Sequence, residues 1–411
     1  MTEKLIMQLS HRESICNIMS QRELIADLVI KLKGLWVCTS LKRQIVYQYQ
    51  PDKHRWVLSN VNDLGETIKT HYPTVSQILQ ELLMALYDRK FLEDLDGDLN
   101  LIGFDNGVYD LNAQQFRIGR PSDRVSRSTG YDYQPSTPIE IQEIEKSWSQ
   151  LFPDPEVAQC VHYLLADSLR GRQSYMGQRI NIFLDPQNII RSILLRIWGD
   201  DYAVEFNSSN TSDRFNDLIK SIGKRLVILS PRSFKTGNLG YLKELVSGDP
   251  IYCSSIYLPP KKLNRTFTNV VFYNDPEQYS LINPDRGIIR RLNFIPVAKV
   301  SDLYTPNPNQ WMSFLLKGLN IDIDIECPSA IVTANREFIK SITLSYQEFI
   351  ADCLTVKEGS SVSISELYCL YKQWVKNGYD ILPPTRKEFI QKLDGNFGEI
   401  TNGYLMGYEL K

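Results

Sequence analysis

The short β-branched apolar runs between residues 180 and 297 limit the possible folds of this chain more than any other feature. Residues 180–184 (INIFL), 225–229 (RLVIL) and 269–273 (NVVFY) each have the length and composition of a buried strand. Segments with helical apolar spacing lie between them. Strands that alternate with helices do not pair through tight turns. They form a mainly parallel sheet with helices on its faces. The expected class of this region is therefore α/β.

The first of these runs leads into a loop and then a helical pattern, reading INIFLDPQNIIRS over residues 180–192. Strand, loop and helix in this order are the layout of a phosphate-binding P-loop, G-x-x-x-x-G-K-[ST]. Laid over it without a gap, Asp185 and Ile190 replace the glycines, Arg191 replaces the lysine, and only Ser192 fits. Each change carries a physical cost. A P-loop aims consecutive backbone N–H groups at phosphate, and Pro186 has none to give. A β-branched Ile190 resists the positive φ that glycine adopts freely. Asp185 puts negative charge where a polyphosphate would sit. Arg191 is bulkier than lysine and not its equivalent.

Further segments extend the pattern along the chain. They are LIGFDNGVYDL (101–111), GDDYAV (199–204), KRLVILS (224–230), KELVSGD (243–249), VVFYND (270–275) and DRGIIRRLNFIP (285–296). In this order and at these spacings they resemble the superfamily 3 helicases of the poxvirus-type primase–helicase family, found in large DNA viruses, phages and plasmids. The resemblance implies three domains. Residues 1–172 would be a mainly helical helicase-associated domain. Residues 173–315 would be a P-loop NTPase-like, AAA+-type motor with a parallel sheet. Residues 316–411 would be a small winged-helix-like domain. It also assigns roles. The strand matching LVILS ends, in the family, in acidic residues that hold Mg²⁺. Here Ser230, Pro231 and Arg232 follow, and no Asp or Glu occurs from Lys224 to Lys243. Asn274 matches the polar residue that contacts the γ-phosphate. Arg290 or Arg291 matches the arginine given to a neighbouring subunit's phosphate. With Arg191 and Ser192 these are the remnants of a nucleotide pocket. A DNA-touching hairpin is implied between the second and third motifs, where Lys243, Tyr257, Lys261, Lys262 and Arg265 place an aromatic ring among cations suited to a phosphate backbone.

Magnitudes weigh against catalysis. A charge-assisted phosphate contact contributes roughly 1.5–3 kcal/mol, and about 1.4 kcal/mol is a factor of ten in rate. Losing the lysine, the loop amides and the metal carboxylate together removes several such contributions. The expected function is therefore that of a helicase-derived protein, inactive as an ATPase. It would bind DNA or assemble with partners, as a homo-oligomeric ring or with replication proteins, in viral or mobile-element replication. No cofactor and no metal are expected. The alternatives are an active superfamily 3 helicase with drifted motifs, requiring ATP and Mg²⁺, or a non-hydrolysing subunit of a mixed ring. No primase segment precedes residue 1, so primer synthesis is not expected from this chain.

Bulk properties agree. Net charge is −2, so nucleic-acid contact must come from local patches. The seven cysteines (16, 38, 160, 253, 327, 353 and 369) are scattered and form no C-x-x-C pair. They point to a reducing, cytoplasmic compartment, such as a viral replication site, and away from zinc. No signal peptide or membrane-spanning run is evident. Asp94, Asp96 and Asp98 have calcium-loop spacing, with Asp105 at the last ligand position, but Gly97 stands where that loop needs no glycine. A solvated acidic turn is expected instead.

Local signals place the remaining elements. Helical patterns run over 21–33, 75–86, 138–151 and 155–169, and residues 44–58 read as a hairpin about Pro51-Asp52. Asn106-Gly107 and Asn402-Gly403 read as turns. Ser363 with Glu366, and Thr385 with Glu388, read as capping boxes that open two helices.

Overall fold

The computed structural model describes residues 21–71, 78–172, 179–206, 214–229, 239–247, 251–253, 261–263, 265–273, 291–301, 307–321, 327–379, 383, 385–394 and 397–411. The chain divides into two compact units, Met1–Pro135 with Gly199–Tyr202, and Ser136–Trp198 with Ala203–Lys411.

The first unit begins with helix α1 (Gln21–Leu32) and the antiparallel sheet β1 (Trp36–Ser40), β2 (Ile45–Gln50) and β3 (Arg55–Ser59). Helices α2 (Val61–His71), α3 (Leu79–Ala85) and α4 (Phe91–Asp94) follow. A second sheet holds β4 (Leu101–Phe104), β5 (Gly107–Asp110) and β6 (Gln115–Arg117). Leu28, Trp36, Val46, Leu64, Ile68 and Leu82 close one core between the first sheet and its helices. Helices and two small antiparallel sheets alternate in this unit, and the two long helices of the region expected to be mainly helical, Pro138–Leu151 and Pro155–Asp167, fall in the second unit. The two sheets of the first unit consist of strands of three to six residues. Strands that short owe their stability to pairing with neighbours rather than to a periodic signal of their own.

The second unit opens with α5 (Pro138–Leu151) and α6 (Pro155–Asp167). Thr137 and Glu140 cap α5 reciprocally: the Thr137 hydroxyl accepts from Glu140 N at 3.3 Å, and the Glu140 carboxylate accepts from Thr137 N at 2.7 Å. A five-stranded sheet comprises β7 (Ile180–Leu184), β8 (Ala203–Phe206), β9 (Leu226–Leu229), β12 (Thr268–Tyr273) and β13 (Leu292–Pro296). Its spatial order is β13-β7-β12-β9-β8, and every pair is parallel. The three runs read as strands in the sequence lie side by side in this one sheet. Helices α7 (Ile189–Tyr202), α8 (Arg214–Lys220) and α9 (Leu239–Val246) connect the strands, and β10 (Ile251–Cys253) pairs antiparallel with β11 (Lys261–Leu263).

One face of this parallel sheet buries Ile180, Ile182, Val227, Leu229, Val271 and Phe294. Burial of each such side chain contributes about 1.5–3 kcal/mol, so the sheet needs no nucleotide to form. A polar ladder crosses three strands. Asn293 Nδ2 donates to Asn181 Oδ1 at 2.9 Å, and Asn181 Nδ2 donates to the Asn269 carbonyl at 3.4 Å. All three residues are buried. A one-residue slip would strand these amides without partners, which fixes the register.

Helix α10 (Pro308–Gly318) packs with α5 and α6, where Trp148, Trp311, Phe314 and His162 form a ring cluster. The chain ends with α11 (Ser329–Cys353), β14 (Leu354–Ser363), α12 (Ile364–Tyr379), α13 (Arg386–Leu393), β15 (Ile400–Thr401) and β16 (Tyr404–Leu410). The three strands form a sheet in the order β14-β16-β15. Helices α12 and α13 start immediately after Ser363 and Thr385, the residues read as caps. Asn402 and Gly403 take φ of +53° and +83°, the two left-handed positions of a tight hairpin turn.

Candidate nucleotide loop and nucleic-acid interface

Four residues, Asp185 to Asn188, join the carboxyl end of β7 to the first turn of α7. The sheet places this loop in its interior, because β7 lies between β13 and β12. Crevices outside the carboxyl ends of such strands are where α/β sheets hold ligands, and the first amides of a helix are natural anion donors. Here those amides are already engaged. Asp185 accepts from Ile189 N at 3.0 Å through Oδ1. Its Oδ2 accepts from Ile190 N at 2.8 Å and from Arg191 N at 3.4 Å. The side chain is fully buried. Burial pushes the Asp185 carboxyl up from its ordinary range, and the amide hydrogen bonds pull it partly back. The sequence presents Asp185 as a charge in the way of phosphate. In the structure it accepts from the first amides of α7, donors of the kind that hold anions at helix starts.

The loop is also clamped. Gln187 Nε2 donates to the Val300 carbonyl at 2.9 Å, and its Oε1 accepts from Val300 N at 2.9 Å. Asn188, with φ +56°, completes the turn through its N–H to the Asp185 carbonyl at 3.1 Å. Arg191, in the lysine position, turns to β8 instead. Its Nε donates to Glu205 Oε1 at 2.8 Å, and its Nη2 lies 2.6 Å from the same oxygen. Ser192 is exposed on α7, and its N–H donates to the Asn188 carbonyl at 3.1 Å. The partners Glu205 and Val300 escaped sequence reasoning because they are distant in the chain. The Asp185 cap did carry a signal, since Asp shortly before a helix is a preferred capping residue.

The other assigned positions divide three ways. Asn274, Arg290, Pro231, Arg232 and Tyr257 lie outside the described residues. Lys261 and Lys262 stand on β11, paired with Cys253 and Tyr252 of β10, so a hairpin does occupy the segment expected to carry one. Lys243 sits in the last turn of α9. Arg265 folds back on that helix, and its Nη1 donates to the Glu244 carbonyl at 2.9 Å. It thereby satisfies an end carbonyl of α9 and ties the hairpin's base to it. Arg291 precedes β13 at the amino end of the sheet, and its carbonyl accepts from Ile180 N at 2.6 Å. The structure thus brings Lys243, Arg265 and the hairpin strand to one region, and places Arg291 at the end of the sheet opposite the loop.

Two more motif segments meet within the first unit. At Gly199 the helical backbone breaks, with φ +59°, where any Cβ would come within 2.3 Å of the Thr129 carbonyl. Beyond it, Tyr202 Oη accepts from Gly103 N at 2.8 Å, and Asp201 accepts from Ser128 N at 2.9 Å. The GDDY segment therefore anchors against the LIGF strand. Asp96 accepts from Ser126 N at 2.7 Å, and among the described residues no group of metal-ligating side chains converges.

Comparison with known proteins agrees with this arrangement. Residues 40–153 match the family described as D5 N terminal like. The "Putative helicase" of Acanthamoeba polyphaga mimivirus is 24% identical over 456 residues, covering 89% of this chain and 46% of that protein. By these matches the chain resembles viral D5-like putative helicases, with the family-model match confined to residues 40–153. Two further proteins described as putative helicases, from Invertebrate iridescent viruses 6 and 3, are 25% and 30% identical over 43% and 39% of this chain. The chain spans less than half the length of these relatives, 46%, 16% and 18% respectively. Among solved structures, the apo C-terminal region of NrS-1 aligns with a TM-score of 0.44 at 12% identity, over 86% of this chain and 92% of that one. No helix among the described residues is long and apolar enough to cross a membrane.

Proposed function

We propose that this chain is a helicase-derived protein of viral or mobile-element DNA replication that does not hydrolyse ATP and acts by holding DNA or replication partners. The observation that carries this reading is the Asp185 carboxylate on the first amides of α7. A phosphate entering there would lose those donors and meet a like charge. Two unit charges 4 Å apart repel by about 4 kcal/mol at an effective dielectric constant near 20. Arg191, drawn to Glu205, offers no compensation. No nucleotide or metal is therefore required, and the motor sheet serves as a rigid support.

On that support, Lys243, Lys261 and Lys262 are assigned to nucleic-acid contact, as is Tyr257, which lies outside the described residues. Arg265 braces the hairpin from its base. The order α11-β14-α12-α13-β15-β16, with one three-stranded sheet, supports a winged-helix reading of the tail. Arg291, at the amino end of the sheet, suits a role at a subunit boundary in a ring. The test is hydrolysis by purified protein: no Mg²⁺-dependent turnover above background is expected. Turnover of about 1 s⁻¹, within the ordinary enzyme range, abolished by Arg191→Ala, would refute the proposal.

A further inference from the structure

The amino end of the five-stranded sheet, opposite the Asp185 loop, gathers positive charge. The sequence stretches that run into and along four of its strands are 168–184, 218–229, 265–273 and 286–297. They contain ten Lys and Arg residues and no Asp or Glu, in a protein whose net charge is −2. Arg291 lies just before β13, and its carbonyl accepts from Ile180 N at 2.6 Å, next to Arg179. The Arg225 carbonyl accepts from Thr268 N at 2.9 Å, and the Lys224 carbonyl accepts from Thr266 Oγ1 at 2.7 Å. Backbone bonding thus holds the starts of β13, β7, β12 and β9 level. Three gaps of about 4.8 Å between strands set Arg291 and Arg225 roughly 14 Å apart.

The turn after α6 adds two more cations. Gly171 takes φ +61°, and a Cβ there would lie 1.4 Å from Arg225 Nη1. The glycine lets the turn settle over this guanidinium, and Arg225 is 2% exposed beneath it. On either side of Gly171, Arg172 Nη2 donates to Asp167 Oδ1 at 2.9 Å, and Arg170 Nη1 lies 3.9 Å from the same oxygen. Asp167 is fully buried, whereas the Arg170 and Arg172 side chains are 37% and 50% exposed. Each guanidinium carries five N–H donors, more than one shared carboxylate oxygen takes up.

Chemistry and shape select the occupant. Two of these arginines already hold a carboxylate, and the planar guanidinium fork matches that group. An extended peptide rises about 3.3 Å per residue, so its alternate side chains stand about 7 Å apart on one face, and two or three carboxylates span the row. Nucleic acid fits less well. Single strands are held on aromatic rings, and Phe183, Phe267, Phe272 and Phe294 of these stretches are all buried. A duplex is read by a helix or β-ribbon placed in its groove, whereas this end of the sheet is a row of strand starts.

We infer that the amino end of the sheet docks an extended acidic segment of a partner protein through Arg170, Arg172, Arg179, Lys224 and Arg291, with Arg225 as buried support. This deepens the partner-holding half of the function proposed above. The hydrolysis test concerns the loop at the opposite end, so either can fail without the other. The test uses the full chain and three fluorescent probes, a short oligo-glutamate peptide, its glutamine counterpart and an oligothymidine, by anisotropy across a salt series. The glutamate peptide should bind, the glutamine peptide should not, and salt should weaken the binding. Arg179→Gln with Lys224→Gln should weaken it roughly tenfold, at about threefold for each partly exposed charge pair lost. Lys220→Glu, exposed in the last turn of α8, leaves the packed turn untouched and should shift binding the same way, which guards against misfolding of the double variant. Lys261→Ala with Lys262→Ala should leave the glutamate peptide bound. Equal binding of the glutamate and glutamine peptides, or unchanged glutamate affinity in both edge variants, would overturn the inference. Loss of oligothymidine binding in those variants, with the peptide still bound, would also overturn it and assign this end to nucleic acid.

Discussion

Two helix starts in the second unit face opposite fates. At α7 the amides are turned inward and consumed by the chain's own buried carboxylate, Asp185. At α13 the first turn stays open, and Arg386 and Lys387 stand exposed. Both starts carry groups that suit an anion, one through backbone amides and the other through side-chain charge. The contrast separates inherited architecture from available chemistry. The parallel sheet has a strand, loop and helix in the order of a nucleotide site with a carboxylate on the helix's first amides, whereas the tail helix leaves Lys387 exposed.

The largest effect should come from emptying the filled start. Asp185→Ala leaves three amides in a buried region without an acceptor, and should lower unfolding free energy by roughly 2–4 kcal/mol, read from urea denaturation. An increase in stability would mean that the carboxylate is only an unfavourable buried charge, and the comparison would collapse.

Acid should sharpen the same contrast, because it acts on what is packed. Burial against Phe314, with the rings stacked 3.8 Å apart, pushes the His162 imidazole down to about 4. Its folded value lies below its unfolded value of about 6.5, so the neutral ring contributes stability above pH 6.5. That contribution should fade as pH falls from 6.5 towards 4, by about 3 kcal/mol at about 1.4 kcal/mol per unit. Asp185, pushed up by burial, works in the opposite sense, since protonation costs the folded state less than its ordinary value implies. Denaturation midpoints at several pH values, with His162→Phe as reference, measure this. A pH profile identical in the variant would remove His162 from the account.

The smallest effect should follow from Arg191→Ala. The residue's pair with Glu205 is partly exposed, so a loss of about 0.5–1 kcal/mol is expected, together with no change in nucleotide affinity by calorimetry. A measurable drop in ATP affinity would show that Arg191 still serves a nucleotide, and the loop would regain its inherited role.

Much of this was legible before the structure. Ile180–Leu184 is a strand at the predicted limits, and α5 spans the predicted 138–151, because burial and capping are local and strong signals. Ser363 and Thr385 marked two helix starts for the same reason. In the first unit the hairpin over 44–58 and the turn at Asn106-Gly107 were legible, but the third strand of its second sheet, Gln115–Arg117, was not, since a strand that short exists only through pairing. Nor were the partners of the loop. Gln187 finds Val300, and Arg191 finds Glu205, through folding alone. Asp185 was visible as a misplaced charge, but its engagement with the helix amides depends on backbone geometry that a loop pattern does not convey.

The Asp185 contact has a consequence for how this protein is timed. A nucleotide binds and leaves at rates set by its concentration, and an ordinary motor takes its rhythm from that exchange. A carboxylate built into the loop is a tethered ligand, held at an effective concentration above the millimolar level that a short flexible tether provides. On the function proposed above, dilution does not remove it and a rise in cellular nucleotide does not outcompete it. On that proposal, changes of state around this chain are paced from outside, by the arrival and departure of DNA or of a partner.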